Sequence, residues 1–235
     1  MPIVALPDAS LTVWRGKDVL QFIDGLSTNK VTELKSGQLI RTIFTDSNAK
    51  IIDCVTLFHM DEYIVVAGHL PFHEKLLEHA SKRILGQDVS ITDITQLNEL
   101  FIEFGCKNDS ADVGAFSSEG EITRGNISGN MSLIVSSKGK GPSNLENFEI
   151  FNQWRIDNKI PWHGFEITDS FHPFACGLEE LVHQQKGCYI GQEILARMRS
   201  RGRQGKVLSQ VDTLDCKSTN ITTLGEIQSL AIIRT

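Results

Sequence analysis

Three β-rich runs with very short polar connections constrain the fold of this chain more than any other feature. The runs are Gln38–Phe44, Ile51–His59 and Tyr63–Ala67, joined only by the turn TDSNAK and by Asp61–Glu62. Connections this short cannot hold the crossover that parallel strands need. The sequence therefore predicts an antiparallel meander.

Helical patterns flank this meander. Apolar residues at helical spacing predict one helix over Asp18–Leu26. A second helix is predicted from Pro71 to Leu85, because proline is favoured in the first helical turn. A strand at Val89–Asp93 follows, and the whole order predicts an inner α+β lobe at about residues 38–95.

The rest of the chain has weaker patterns. Residues 108–146 are rich in Gly, Ser and Asn, which predicts loops around short strands such as Met131–Ser136. A helix over Asn147–Asn158 carries an aromatic stripe that we interpret as core rather than as a cofactor site. The tail from Val207 is expected to form short strands, ending in the apolar run Leu230–Ile233.

Charge and cysteine content narrow the class of protein. The net charge of -6 argues against bulk attraction to nucleic acid or to anionic membranes, so neither is expected as a partner. The first residues lack the basic start and long apolar run of a signal peptide or membrane span. Five cysteines without a CxxC pair favour free thiols, a reducing cytoplasmic location and no zinc site.

The segment around Cys188 contains the chemistry that stands out. Cys188 lies two residues after Lys186 and shortly before a possible helix that begins near Gly191. A lysine and a helix N-terminus both favour the thiolate, which is the nucleophilic and metal-binding form. Gly187 and Gly191 allow the backbone to bend and to approach a ligand closely. The alternative is that Cys188 is an ordinary small buried residue.

A basic run follows this cysteine. The residues Arg197, Arg199, Arg201, Arg203 and Lys206 have no acidic residue among them. On a strand, the alternation of side chains would place three of these arginines on one face. Such a face suits carboxylates or phosphates, and the alternative is a solvated surface.

The octapeptide KGCYIGQE resembles the signature K-G-C-Y/F-x-G-Q-E of the YgfZ family, within the folate-binding superfamily that includes the glycine cleavage T-protein. FIDGLSTNKVTELKSGQ and RIDNKIPWHGFEITDSFHPFACGLEELV are also similar to segments of that superfamily. The likeness covers roughly residues 11–206 and is densest at 176–205. The residues that match the signature by position are Lys186, Gly187, Cys188, Tyr189, Gly191, Gln192 and Glu193.

The resemblance implies an α+β, T-protein-like fold with ferredoxin-like lobes around a central cavity and a C-terminal β-barrel. We expect a folate-binding region at residues 1–200 and a truncated, barrel-like β segment at 201–235. The implied ligand is tetrahydrofolate or a derivative, with Arg197 and Arg201 near its anionic tail. The implied role is support of iron–sulfur cluster assembly or repair, with Cys188 at its centre and iron–sulfur client or assembly proteins as partners.

Two departures from T-proteins keep other functions open. The carboxylate that T-proteins place after their third strand is absent from VVAGHLPFHEK, where only Glu74 lies near. The T-protein R-x-E pattern is Arg155-Ile156-Asp157 here, so Asp157 either contacts the pterin or is an exposed residue at a helix end. The alternatives are a folate-dependent aminomethyltransferase, an RNA-binding or tRNA-modification protein, and a thiol oxidoreductase with Cys176 as its second thiol.

Overall fold

The computed structural model describes residues 1–105, 107–109, 112–202, 205–214 and 220–234. These residues form three antiparallel sheets and four α-helices. The helices are α1 (Val19–Leu26), α2 (Leu70–Ser81), α3 (Phe148–Asp157) and α4 (Gln192–Arg201).

The first sheet contains the predicted meander. Its strands are β2 (Ala9–Arg15), β3 (Leu39–Thr45), β4 (Ile51–Met60), β5 (Tyr63–His69) and β6 (Ser90–Asp93), in the spatial order β3-β4-β5-β2-β6. All neighbouring pairs are antiparallel, as the short connections predicted. Since β2 pairs with β5, this lobe also includes chain from before residue 38.

The two faces of the first sheet have different environments. Val55 and Leu57 of β4 point into an apolar core that they share with α1 and α2. Cys54 and Phe58 point from the opposite face of the sheet into other apolar clusters. This alternation is the period of two that a strand imposes. The prediction for α2 was wrong at its end, because the helix stops at Ser81 and turns replace its last four residues.

The second sheet lies against that other side. Its strands are β1 (Ile3–Ala5), β7 (Asn98–Phe104), β8 (Phe116–Glu119), β9 (Ile122–Ser128) and β10 (Met131–Ser137), in the spatial order β1-β7-β10-β9-β8. The strands β8 and β9 fall in a stretch whose composition predicted loops. They are polar and mostly exposed or half-buried at one side of the sheet, so they lack a strand-like apolar pattern.

Aromatic residues of α3 pack on the second sheet and on the loop that follows the helix. The Asn147 side chain caps this helix by accepting a hydrogen bond from the Glu149 backbone N–H. Phe151 is fully buried and packs against Phe104 and Trp162. The interpretation of the aromatic stripe as core is therefore confirmed.

The C-terminal residues form a third, three-stranded sheet, as the apolar run predicted. Its strands are β11 (Lys206–Asp212), β12 (Ile221–Thr223) and β13 (Gln228–Arg234), in the order β11-β13-β12. A buried ion pair connects this sheet to α3, since Arg155 Nη1 lies 2.8 Å from Glu166 Oε2 and its Nη2 donates to Thr223 Oγ1.

Arg199 and Arg201 lie on α4 and not on a strand, so the shared strand face considered for the arginines does not form there. Gly191 and Gly202 bracket this helix in left-handed conformations at its two ends. Successive helical residues are rotated by about 100°, so Arg199 and Arg201 do not share a face. Arg203 lies outside the described residues. No helix in the described part of the chain is long and apolar enough to cross a membrane.

Candidate functional site

A cavity of about 340 Å³ lies between the two five-stranded sheets. This volume is within the range of small-molecule sites, about 300–1,000 Å³. The loop that follows α3 closes one side. The residues lining the cavity include Arg41, Cys54, Thr56, Ala67, Gly68 and His69 of the first sheet, Leu100, Ile102, Ile127 and Leu133 of the second, and Phe148, Trp162, His163 and Phe165.

The cavity wall is mostly apolar and carries one cation, Arg41. Its Nη2 lies 3.8 Å from Cys54 Sγ. Among the described residues, no carboxylate lies within ion-pair distance of this guanidinium. A half-buried cation in an apolar wall offers strong hydrogen bonds to a carbonyl or carboxylate of a bound molecule.

Two stacked histidines belong to the polar part of the same wall, and a buried carboxylate lies behind them. Asp53 is fully buried and accepts hydrogen bonds from the backbone N–H groups of Cys54 at 2.8 Å and His69 at 3.0 Å. His163 Nε2 lies 2.7 Å from the Cys54 carbonyl oxygen and 3.4 Å from Asp53 Oδ1. The His69 and His163 rings stack with centroids 5.0 Å apart.

The steric fit at Gly68 and the burial of His69 determine the properties of this part of the wall. A Cβ atom at Gly68 would lie 2.5 Å from Asp53 Oδ2, so only glycine leaves room for the carboxylate. Burial, helped by the charge of the neighbouring His163, lowers the pKa of His69 to about 4. His69 is therefore neutral at physiological pH.

The KGCYIGQE segment, residues 186–193, packs against a different part of the first sheet. The Lys186 ammonium is buried and donates to the backbone carbonyls of Asp24, Ser27 and Asn29, each at 2.7 Å. Its Nζ also lies 3.3 Å from Asp24 Oδ2. Burial lowers the pKa of Lys186, and the nearby Asp24 opposes that shift. The lysine thus joins the segment to the end of α1 instead of facing Cys188.

Tyr189 and Gly191 also have packing roles. Tyr189 is buried with Ala49 and Phe174 in a small apolar cluster. Gly191 has φ of 86°, and a Cβ there would lie 2.8 Å from the Asp46 carbonyl oxygen. The segment is thereby fixed on the β3–β4 turn.

The remaining signature residues lie at or near the surface. Gly187, Cys188 and Glu193 are exposed, and Gln192 is half-buried at the start of α4. Glu193 forms an exposed ion pair with Arg197, with 2.7 Å between Oε1 and Nη2.

None of these signature residues lines the central cavity, and neither do Arg197, the exposed Arg201 or Asp157. Asp157 is exposed at the end of α3 and accepts a hydrogen bond from Gln153 Nε2 at 2.8 Å. Glu74 is exposed on α2 and does not line the cavity either.

The segment and the cavity lie at different points along β3. Arg41 faces the cavity, whereas Thr45 donates to the carbonyl of Ile190 at 2.5 Å. Four strand residues span about 13 Å. The exposed thiol and the ligand-sized cavity are therefore two separate features.

The described cysteines are all free thiols. Burial raises the pKa of Cys54 to about 11, and burial also raises the pKa of Cys176, whose Sγ lies 3.1 Å from the Glu166 carbonyl oxygen. Cys188 is exposed, so Cys176 does not pair with it. Cys106 and Cys216 lie outside the described residues. Across the described ranges, no group of three or more metal-ligating side chains could hold a metal ion.

Comparisons with known proteins point to one superfamily. No protein-family model matches the chain. A tRNA-modifying protein YgfZ of Hamiltonella defensa is 26% identical and covers 96% of this chain and 74% of its own length. An aminomethyltransferase of Symbiobacterium thermophilum is 22% identical over 83% of the chain. The glycine cleavage aminomethyltransferase T of Bartonella henselae superposes on 99% of this chain with a TM-score of 0.78, at 11% sequence identity.

In sequence the chain is similar to YgfZ proteins and to aminomethyltransferases. The prediction of a T-protein-like fold is confirmed by the superposition. The chain spans 63% of the length of the Symbiobacterium aminomethyltransferase, and the matched T structure is likewise longer, with 78% covered.

The sequence reasoning missed most polar groups of the cavity. Arg41, Thr56 and His69 come from three different strands, so no local motif joins them. The usable signal was the segment RIDNKIPWHGFEITDSFHPFACGLEELV, which is similar to a segment of the superfamily. That segment supplies Trp162 and His163 to the cavity.

Proposed function

We propose that this protein binds a tetrahydrofolate-type ligand in the central cavity and supports iron–sulfur cluster assembly or repair through Cys188. The observation that carries the proposal is the cavity between the two sheets, with apolar walls and a few polar groups on one side. Such a site suits a flat heterocycle with hydrogen-bonding edges. The similarity to YgfZ proteins and aminomethyltransferases supports the ligand class.

The chemistry of the wall fits a folate. Trp162 and Phe165 provide aromatic surface for a pterin or aminobenzoyl ring. Arg41 offers a cation to a carbonyl or carboxylate oxygen. Thr56, His69 and His163 add further hydrogen-bonding groups beside it.

Cys188 serves a different purpose in this proposal. Its thiol is exposed on a segment that does not line the cavity. An exposed thiol on a rigidly held segment can meet the surface of another protein, and thiolates bind iron and sulfur species well. We therefore assign Cys188 to contact with an iron–sulfur client or assembly protein.

The folate half is tested by calorimetric titration with tetrahydrofolate, followed in parallel by tryptophan fluorescence. We expect saturable binding, with the fluorescence change lost in Trp162→Phe and kept in Trp154→Phe. Trp162 lines the cavity, whereas Trp154 packs against Phe104 outside its lining. Absence of binding at millimolar ligand would exclude the folate site.

The proposed role of Cys188 is tested by measuring the activity of iron–sulfur enzymes in cells. Cys188→Ala should reduce that activity, whereas Gly187→Ala should not, because a Cβ at Gly187 meets open space. Both variants must accumulate to normal levels. Undiminished enzyme activity with Cys188→Ala would remove this part of the proposal.

A further inference from the structure

A second cavity, which we call the distal cavity, lies between the two five-stranded sheets at the other end of their strands. Its volume is about 320 Å³, within the range of small-molecule sites, about 300–1,000 Å³. On β4, Thr56 lines the central cavity, whereas Phe58 and Met60 line the distal one. Among the described residues, none lines both cavities.

A close contact between the sheets separates the two cavities. On β9, Gly125 lies between Thr123, which lines the distal cavity, and Ile127, which lines the central one. A Cβ atom at Gly125 would lie 2.3 Å from Leu39 Cδ2 and 2.6 Å from Phe58 Cε1. The distal cavity is therefore a compartment of its own and not an extension of the central cavity.

The interior of the distal cavity is apolar on both sheets. Its apolar lining side chains are Leu11, Val13, Phe58, Met60, Val65, Ile94 and Val135. The flexible thioether of a methionine adapts to irregular apolar shapes and contacts aromatic rings favourably. An apolar group that fills this space removes its own surface and that of the walls from water.

The opening of the distal cavity carries one arginine. Arg15 is exposed at the end of β2, and its guanidinium carbon lies 4.9 Å from the centre of the Tyr63 ring on β5. Among the described residues, none accepts a hydrogen bond from this guanidinium. Because stacking uses the face of the guanidinium, its N–H groups stay available to a carboxylate, which they can bind in pairs.

The other charge that lines the distal cavity is already offset. Glu121 is exposed on the second sheet and lies 4.0 Å from the Lys140 ammonium. The whole protein has a net charge of -6, so an anion is attracted here only by a local cation. Arg15 is that cation.

We propose that the distal cavity binds a small monocarboxylate with an aliphatic or aromatic body. The body lies between the sheets against Phe58 and Met60, and the carboxylate accepts hydrogen bonds from Arg15. This binding site is independent of the proposed folate function, because the two cavities share no lining residue in the described part of the chain.

Two probes of similar shape test the site at pH 7.5. These are 3-phenylpropionate and the uncharged 3-phenylpropanol, titrated while the ¹³C-labelled methyl groups of the four methionines are followed by NMR. The Met60 resonance should shift with saturation, whereas those of Met131 and Met198 should not, because only Met60 lines the cavity. The carboxylate should bind about tenfold more tightly than the alcohol, since its hydrogen bonds to Arg15 are charge-assisted.

Three variants then separate the charge from the apolar space. Arg15→Gln should weaken binding of 3-phenylpropionate about tenfold and leave that of 3-phenylpropanol unchanged. Lys17→Gln is the matched control, because Lys17 is exposed nearby but does not line the cavity, and its affinities should equal those of the wild type. Val135→Phe places a ring in the half-buried part of the cavity and should abolish the Met60 shift with both probes.

The remaining outcomes contradict the proposal. If neither probe shifts the Met60 resonance at millimolar concentration, the distal cavity is not a binding site. If Arg15→Gln still prefers the carboxylate as the wild type does, or if Lys17→Gln weakens binding equally, Arg15 does not bind the anion. Thermal unfolding of each variant confirms that it is folded.

Discussion

The central cavity and the KGCYIGQE segment differ in how the chain builds them. The segment is contiguous, and three of its distinctive residues serve packing: Lys186 joins it to α1, Tyr189 lies in a small apolar cluster, and Gly191 fits it onto the β3–β4 turn. The cavity is assembled from residues that are distant in sequence, such as Arg41 and His163. The more recognisable region therefore owes part of its pattern to packing, and the less recognisable one has the character of a ligand site.

The largest expected effect is at Lys186. Replacing it by Met would leave Asp24 without its buried cation and three carbonyl groups without a donor. Loss of one partner of a buried pair costs about 3–5 kcal/mol. Urea unfolding measures this loss, and the exposed Lys82→Met is the control, expected near zero. An unaffected midpoint in Lys186→Met would show that the segment is not anchored by this lysine.

Thiol labelling separates the two regions chemically. At neutral pH, iodoacetamide should modify the exposed Cys188 about a hundredfold faster than the buried Cys54, whose raised pKa keeps it protonated. Peptide mass mapping follows both sites. Tetrahydrofolate should slow the reaction of Cys54, which lines the cavity, and leave Cys188 unchanged. Equal protection of both thiols by tetrahydrofolate would contradict the separation of the cavity from the KGCYIGQE segment.

Glycine replacements probe the fit of the segment on the β3–β4 turn. Gly191→Ala combines a left-handed φ with a Cβ only 2.8 Å from a backbone oxygen, so we expect a loss of about 2 kcal/mol. Gly187→Ala, where a Cβ has open space, should cost well under 1 kcal/mol. Chemical denaturation compares the two. Similar losses at both positions would contradict the packing described for Gly191.

The smallest effect is a pH dependence. His69 titrates near pH 4 in the folded protein and near its ordinary 6.5 when unfolded, so the unfolded state takes up the proton first. Stability therefore falls as pH decreases from about 6.5 to 4, and burial gives His79 the same shift.

Substitutions of the two histidines isolate their contribution to the pH dependence of stability. His69→Asn and His79→Asn should each reduce the stability lost between pH 7 and pH 5 by roughly 0.5 kcal/mol, since solvent screens these partly exposed rings. Tetrahydrofolate should alter the pH dependence contributed by His69 and leave that of His79 unchanged, because His69 lines the cavity and His79 does not. If the variants lose more stability than the wild type between pH 7 and pH 5, the two histidines do not have lowered pKa values in the folded protein. Unfolding midpoints at the two pH values provide the measurement.

Local patterns predicted the elements well where the pattern was strong. The meander β3–β4–β5 followed from its short turns, and the helix α3 followed from its aromatic stripe. The polar strands β8 and β9 were missed, because a strand paired mainly through its backbone needs little apolar pattern. A helix beginning near Gly191 was predicted, but its extension over the arginines was not, although Gly202 is a helix-end signal.

The sequence alone indicated the resemblance to the superfamily and the position of the unusual cysteine, because both depend on contiguous residues. Only the tertiary structure decided that Lys186 is a buried anchor, that Cys188 stays at the surface, and that Arg41, His69 and His163 share a cavity. The physical reason is that a cavity is a property of packing between sheets. Its residues are brought together by strand pairing and by the burial of apolar faces, which no local pattern records.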